Sequence, residues 1–271
     1  MNAIRRMDID PSFGPMAGGV ALLEAPGPFG GLYNEARARE GRILDDRQVS
    51  RLPQAPERPH RAEWQVRARS AQRLVEHPGR SGRSLRVLDV GCGNGWLSAL
   101  LARQGHAVLG IDRHLPELQQ AARVFGDGPR FALADLFHPA LDGLRFDVVL
   151  FAASFQYFAD ARATLRRARA LAPSGEVHVM DTMLYPDADA AAAASARSAA
   201  YYAALGVPQL AANYHAHALC DVQAAGPHHH LRRPGVWKAL MDRINGIRDP
   251  FHHVVLFDTV PPASSVDPGP A

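Results

Sequence analysis

The chain has 271 residues, a length that suits one large α/β domain with additions. Its 47% hydrophobic and 21% charged residues exclude an intrinsically disordered chain, and no apolar run is long enough to cross a bilayer. The formal charge is +3, but the basic residues are scattered and almost all are Arg, so no nucleic-acid-binding stripe is present.

Pro and Gly are frequent at the start of the chain, and we expect a flexible segment over residues 1–31. Apolar residues at helical spacing, among them Trp64 and Leu74, predict an amphipathic helix over 60–76, within a helical extension over 32–84. Pro78 and Gly79 end that helix, and a polar linker follows.

From Leu85 onward, short apolar runs alternate with helical stretches, which is typical of βαβ units on a parallel sheet covered on both faces. We therefore expect an α/β fold with a doubly wound sheet over residues 85–258. The predicted strands cover 86–90, 107–112, 130–134, 147–152 and 176–181. The predicted helices between them cover 96–104, 115–125 and 161–171.

The last third of the chain is less regular. An Ala-rich helix is predicted over 188–205, and a poorly patterned, His-containing region follows it. A helix over 236–244 and a last strand over 252–257 come next, and the tail over 259–271 is predicted to be flexible.

A glycine-rich turn follows the first strand, in the stretch Asp89-Val90-Gly91-Cys92-Gly93-Asn94-Gly95-Trp96. Glycine lets the backbone turn at positive φ and lets a ligand lie against the main chain, and the start of the next helix offers unpaired N–H groups. The dinucleotide fingerprint needs a glycine where Trp96 stands, which weakens an NAD or FAD site. The lysine of a phosphate-binding loop is absent, which argues against ATP or GTP hydrolysis.

Acidic residues follow the next two strands. Asp112 ends the second strand, about twenty residues after the turn, where a carboxylate can accept hydrogen bonds from a ribose. Asp135 follows the third strand, and one crevice at the carboxyl ends of the strands would collect it with Asp112 and Asp89. Each acid has a structural alternative: Asp89 capping its own turn, Asp112 capping a helix, and Asp135 as a loop residue.

The Asp-x-Gly-x-Gly-x-Gly turn and these strand-end acids resemble class I S-adenosylmethionine (SAM)-dependent methyltransferases, in particular a bacterial small-molecule subgroup. The resemblance covers residues 60–182 well and implies a mostly parallel seven-stranded sheet with lid elements. It implies that Asp89 helps to hold the methionine part of SAM, Asp112 the ribose and Asp135 the adenine amino group. The other cofactor-binding residues that it implies are Gly91, Cys92, Gly93, Trp96, Arg113, Leu136, Ser154, Trp64 and Arg67.

The fourth strand leads into Ser154, Gln156 and Tyr157, where the family has its acceptor loop. We expect these three to line the methyl-transfer site, with His215 as a further catalytic candidate, although Tyr157 has the alternative of a core aromatic. The methyl group of SAM is already activated, so positioning is the main catalytic device, and a base is needed only for an acceptor whose proton must leave early.

The resemblance favours a small-molecule acceptor, covered by an insert at about 183–235, for a chain that is a monomer or a homodimer. No nucleic acid or membrane is expected as a partner, since Ala153-Ser154-Phe155-Gln156 replaces the Asn/Asp-Pro-Pro-Tyr/Phe signature of base methylation. No Cys, His and Asp set has zinc spacing, so no metal is expected. The two cysteines and the lack of a signal peptide predict the cytoplasm. The alternatives are an RNA or protein methyltransferase and a SAM-binding sensor without methyl transfer.

Overall fold

The computed structural model describes residues 14–54, 60–77, 83–235 and 249–257. Within these residues the strands are β1 (Met16–Ala17), β2 (Val20–Leu22), β3 (Arg86–Val90), β4 (Ala107–Asp112), β5 (Arg130–Leu133), β6 (Val148–Ala152), β7 (Glu176–Met180), β8 (Leu184–Tyr185), β9 (His217–Ala218), β10 (His228–Arg232) and β11 (His253–Phe257). The α-helices are α1 (Pro28–Arg39), α2 (Asp46–Ser50), α3 (Arg61–Val75), α4 (Trp96–Arg103), α5 (Leu115–Phe125), α6 (Ala161–Leu171), α7 (Ala188–Ala204) and α8 (Leu219–Gln223).

One sheet organises the described part of the chain. It has nine strands in the order β1-β2-β5-β4-β3-β6-β7-β11-β10. The pairs from β2 through β7 are parallel, whereas β1, β11 and β10 pair antiparallel to their neighbours. Strand order reverses direction between β3 and β6, which is the position where open α/β sheets bind ligands. The strands β8 and β9 form a separate parallel pair.

Both faces of the sheet are buried. In β6, Val149 and Phe151 pack into the core that holds Leu165 of α6, whereas Val148 and Leu150 pack on the opposite face with Leu74 of α3. Successive side chains of a strand point to opposite faces, so this division explains why the central strands are continuously apolar. The predicted α/β class with a mostly parallel, doubly wound sheet is confirmed.

The bounds of the predicted elements from residue 86 to 205 agree with the structure within one residue at each end. Helix starts follow from capping: the Asp160 carboxylate accepts a hydrogen bond from the Ala163 amide at 2.9 Å, and Asp187 does the same for Ala190 at 2.8 Å. The helix predicted over 236–244, the tail over 259–271 and residues 1–13 lie outside the described residues.

Part of the segment that we expected to be flexible, 1–31, is ordered instead. Gly18 and Gly19 have φ of +59° and +82°, which suits the two-residue turn of a β-hairpin, and this turn joins β1 to β2. Val20 in β2 is fully buried. The hairpin adds two strands to the seven that the resemblance implies, and α1 begins before residue 31.

The edge strand β10 lies in the region that we described as poorly patterned, and its three histidines hide the usual apolar alternation. No helix among the described residues combines the length and the apolar character needed to cross a membrane.

Candidate functional site

A cavity of about 630 Å³ lies at the carboxyl ends of β3, β4 and β6, where the strand order reverses. Its volume is in the range of small-molecule sites in proteins. The predicted site residues in its wall are Trp64, Arg67, Gly91, Cys92, Gly93, Trp96, Asp112, Arg113, Asp135, Leu136, Ser154, Gln156 and Tyr157. Asp89 and His215 are not in that wall.

The glycine turn brings β3 unusually close to the end of β6. Gly91 has φ of +73°, and a Cβ atom on it would lie 2.4 Å from Cβ of Ser154. The Ser154 hydroxyl donates a hydrogen bond to the carbonyl of Val90, so the two strand ends are tied together. Ser154 is therefore engaged in holding the turn, and only 2% of it is exposed.

Asp89 lies behind the turn. It is 1% exposed, and its Oδ2 accepts a hydrogen bond from the Ser98 hydroxyl of α4 at 2.6 Å. Burial raises the pKa of Asp89 to about 6. The Asp89 carboxylate therefore faces α4 and not the cavity wall, and its contact with the methionine part of SAM stays a prediction.

Asp112 faces the cavity and organises the backbone around it. Its two carboxylate oxygens accept hydrogen bonds from the amides of Gly93 and His114, each at 2.8 Å. Each oxygen keeps acceptor capacity for a further donor. Burial and the nearby Glu117 carboxylate raise the pKa of Asp112.

Asp135 and Leu136 lie on the same side of the cavity, directly after β5. Oδ1 of Asp135 accepts a hydrogen bond from the Phe137 amide at 2.9 Å, which fixes the carboxylate at the loop. The structure therefore collects Asp112 and Asp135 in one wall, together with Arg113.

The loop after β6 is rigidly held. The Gln156 amide nitrogen donates to the Ala153 carbonyl at 2.6 Å, and its oxygen accepts from the Thr182 hydroxyl at 3.0 Å. Tyr157 lies in the wall, and burial raises the pKa of its hydroxyl, so this group is a neutral hydrogen-bond donor at physiological pH.

Two predicted aromatics form the opposite side. The rings of Trp64 and Trp96 meet edge to face with centroids 5.6 Å apart, and the Arg67 guanidinium lies 5.1 Å from the Trp64 ring centroid. Trp64 thus both packs and lines the cavity. Cys92 is also in the wall, and burial raises the pKa of its thiol well above the usual range.

The histidine candidates lie elsewhere. The backbone amide of His215 donates to the Gln156 carbonyl at 2.7 Å, but its ring is not in the wall of the cavity. His217 is buried against Phe155, with ring centroids 5.0 Å apart. The catalytic role suggested for His215 stays a prediction.

A cluster of aromatic residues also lines the cavity, and of its members the sequence analysis named only Tyr157. We call Phe29, Tyr33, Tyr157, Tyr202 and Tyr214 the aromatic wall. Tyr157 is its centre, with ring centroids 5.9 Å from Phe29, 6.0 Å from Tyr33 and 6.1 Å from Tyr214, all edge to face. Pro28 at the first position of α1 is a helix-start signal that could have revealed this helix.

Two charged side chains lie beside the aromatic wall. Arg37 of α1 has an Nη2 atom 3.9 Å from Oε1 of Glu117, and its guanidinium carbon lies 5.6 Å from the Tyr33 ring centroid. Nε of Arg37 is buried without a hydrogen-bond partner among the described residues. A buried donor of this kind favours an anionic group in the cavity.

The cavity also has one strained acidic residue. Asp181 follows β7 with φ of +54°, and its Oδ1 accepts a hydrogen bond from the Ser70 hydroxyl at 2.5 Å. Burial raises the pKa of Asp181 to about 6.

These residues fit SAM. The carboxylate of Asp112 retains acceptor capacity toward the cavity, as a ribose requires, and the glycine turn leaves main chain in the wall. The unpartnered Nε of Arg37 and the carboxylate of Glu117 give charges of both signs, which a zwitterionic amino acid group requires.

Part of the chain is similar to known methyltransferases. Residues 88–179 match the family described as methyltransferase domain. An uncharacterized methyltransferase of Mycobacterium bovis is 36% identical over 101 residues, which are 37% of this chain and 51% of that protein. A ubiquinone biosynthesis O-methyltransferase of Azorhizobium caulinodans is 34% identical over 119 residues, or 41% and 47% of the two chains. The chain thus spans about half the length of these relatives.

Solved structures share the fold. Magnesium protoporphyrin IX methyltransferase from Synechocystis, crystallised with S-adenosylhomocysteine (SAH), superposes with a TM-score of 0.52 at 16% identity, over 83% of this chain and 100% of the other. Geranyl diphosphate C-methyltransferase from Streptomyces coelicolor, also crystallised with SAH, superposes with a TM-score of 0.52 at 15% identity, over 86% of this chain and 98% of the other.

The chain shares its fold with these two methyltransferases, both crystallised with SAH. Residues 88–179 carry the similarity to the methyltransferase domain family, whose members use SAM as cofactor.

Proposed function

We propose that this protein transfers the methyl group of SAM to a small-molecule acceptor. The observation that carries the proposal is one cavity whose lining combines two kinds of residue. The glycine turn and two strand-end acids line it together with the aromatic wall. Two ligands of different chemistry can meet in such a cavity, which is the requirement for direct transfer between them.

The cofactor supplies a methyl group already activated on a sulfonium, so the protein's task is positioning. We assign Asp112 to the ribose hydroxyls and Asp135 to the adenine amino group, with Gly91 and Gly93 at the main-chain side. Asp89 holds the turn through Ser98. The half-buried aromatic wall would exclude water from the acceptor, and Tyr157 would orient the acceptor as a neutral donor.

The lining suggests the class of acceptor. Edge-to-face aromatic rings favour a flat apolar or aromatic molecule. The named methyltransferase of ubiquinone biosynthesis supports a small-molecule acceptor by analogy alone. We also propose the cytoplasm as its location, a catalytic domain over 85–258, a covering insert at about 183–235 and a monomer or homodimer.

One labelling experiment tests this proposal. Purified protein and SAM with a tritiated methyl group would be mixed separately with the small-molecule, RNA and protein fractions of an extract of the source cells. We expect label in the small-molecule fraction only. Label in RNA or protein instead would contradict the proposed acceptor. Calorimetric binding of SAH without label in any fraction would favour a sensor.

A further inference from the structure

A group of imidazoles surrounds one carboxylate at the start of β7, at the opposite end of this strand from the cavity. Nε2 of His77 lies 3.1 Å from Oε1 of Glu176, and Nε2 of His178 lies 3.0 Å from Oε2 of the same residue. On the other side of His178, its Nδ1 lies 3.0 Å from Nε2 of His253. The His229 ring packs beside His77, with centroids 5.7 Å apart.

The register of the sheet brings these side chains to one face. Glu176 and His178 are two residues apart in β7, so they point the same way. In the antiparallel neighbour β11, Val255 pairs with His178, and His253 is two residues from Val255 and shares its face. His77 arrives from the segment after α3, the helix that packs on this face.

We propose that His77, Glu176 and His178 bind a divalent transition-metal ion of the zinc type. One ligand atom from each residue lies within 4.8 Å of the others, close enough for a single ion to contact all three after small side-chain movements. Two imidazoles with one carboxylate are a ligand set that zinc accepts, with the remaining position left to water. This proposal replaces the expectation of no metal.

The surroundings of the three ligands suit an ion. A metal on Nε2 of His178 leaves Nδ1–H to donate to His253, and metal-binding histidines usually have such a hydrogen-bonded second nitrogen. The His178 side chain is fully buried, whereas 27% of the Glu176 side chain is exposed. The ion would therefore enter, and bind water, from the Glu176 side.

The ion would have a structural role distinct from methyl transfer. It would connect two positions 99 residues apart, the end of the α3 segment and β7. Asp181 in the cavity wall is five residues along the chain from Glu176, or about 16 Å in extended conformation. The competing possibility is a hydrogen-bonded His-Glu-His group that holds no metal.

Metal titration of the full chain distinguishes a metal site from a metal-free hydrogen-bonded group. Protein stripped with chelator would be titrated with ZnCl₂ by calorimetry and with Co²⁺ by visible absorption, for wild type, Glu176→Gln and His77→Gln. We expect one ion per chain, with the affinity at least 10-fold weaker in both variants. The Glu176→Gln change keeps the size and one acceptor oxygen, so the fold should persist. Circular dichroism and SAH affinity would verify this.

Two other histidine variants complete the test. The control variants are His138→Gln and His230→Gln. His138 lies in the loop after β5, and His230 lies on the opposite face of β10 from His229. Both should bind Zn²⁺ like wild type. The proposal is overturned by the absence of saturable binding, by equal affinity in Glu176→Gln and wild type, or by loss of binding in His230→Gln with retention in His77→Gln.

Discussion

At the scale of single residues, Gly91 is the position where the site depends most on the absence of a side chain. Its positive φ is shared by Gly105 at +90°, but a Cβ atom on Gly105 would meet nothing within 4 Å, whereas one on Gly91 would collide with Ser154. Comparing substitutions at Gly91 and Gly105 therefore distinguishes the effect of a steric collision from the effect of backbone strain alone.

We predict that Gly91→Ala destabilises the fold much more than Gly105→Ala. The Gly105 variant should lose about 1–2 kcal/mol, the cost of a left-handed conformation for an L-residue. The Gly91 variant should lose that and several kcal/mol more, and it should bind SAH weakly or not at all. Urea denaturation with and without SAH measures both effects. Equal losses in the two variants would show that the contact with Ser154 is unimportant.

We predict that Asp112→Asn raises the Kd of SAH by roughly 10- to 100-fold. The change replaces hydrogen bonds to a charged group, each worth about 1.5–3 kcal/mol. It also places an amide NH₂ group, which is a donor, opposite a backbone N–H donor. Calorimetry provides the comparison, with the exposed Asp189→Asn in α7 as control. An unchanged Kd would remove Asp112 from the cofactor site.

At this scale, sequence alone predicted most of the strand-end residues that meet in the wall of the cavity. Asp112, Asp135 and the glycine turn follow strand ends, and parallel strands bring their carboxyl ends to one edge. The position of Asp89 could not be predicted, because whether a strand-end carboxylate points toward a ligand or toward the next helix depends on its partner, here Ser98.

At the scale of elements, α1 forms the outer side of the cavity by packing on the segment after α7. Ala36 is buried against Val207 and Leu210, with Phe29 and Tyr202 at the edge of this cluster. The helix carries Tyr33 and Arg37 on the side that faces the cavity.

We predict that Ala36→Asp detaches α1, whereas Ala38→Asp on the exposed side of the same helix does not. A carboxylate at position 36 would be buried in an apolar cluster, which is costly for a charged group. Hydrogen exchange of the α1 amides should accelerate in the first variant only. Similar exchange in both variants would mean that this packing does not hold the helix.

The elements between residues 86 and 205 were predictable because each is long, periodic and marked by a cap or a glycine. The start of α1 was not predicted, because the prolines and glycines over 26–31 also suggest irregular chain, and only its part from residue 32 onward lies in the predicted helical extension. Its stability comes from contacts with residues 207–210, far away in sequence.

At the scale of the whole molecule, buried acids set the pH dependence of stability. The pKa of Asp181 is raised from an ordinary 3.8 to about 6, so the folded state binds a proton that the unfolded state has released between these values. The contribution of Asp181 to the free energy of unfolding therefore falls as pH rises from about 4 to about 6. Glu176 has the opposite effect, because its neighbours His178 and His77 hold its pKa below the usual range.

We predict that Asp181→Asn reduces the fall in the free energy of unfolding between about pH 4 and 6. The variant should be more stable than wild type at pH 7 by on the order of 1–3 kcal/mol. Asparagine tolerates positive φ and still accepts the hydrogen bond from Ser70. Urea denaturation from pH 4 to 7.5 gives the difference between variant and wild type. A difference that does not change with pH would show that Asp181 ionises normally.

The two sides of the cavity also differ in how far apart their residues lie along the chain. The glycine turn and the strand-end acids in the wall come from residues 91–135, whereas the aromatic wall needs Tyr33 and Tyr214 together. During synthesis from the N-terminus, a nascent chain has the strands that carry Asp112 and Asp135 before Tyr214 has left the ribosome. The cavity can close only after residue 214 has been added, so a chain that stops earlier would have the proposed nucleotide pocket but no place for a second reactant.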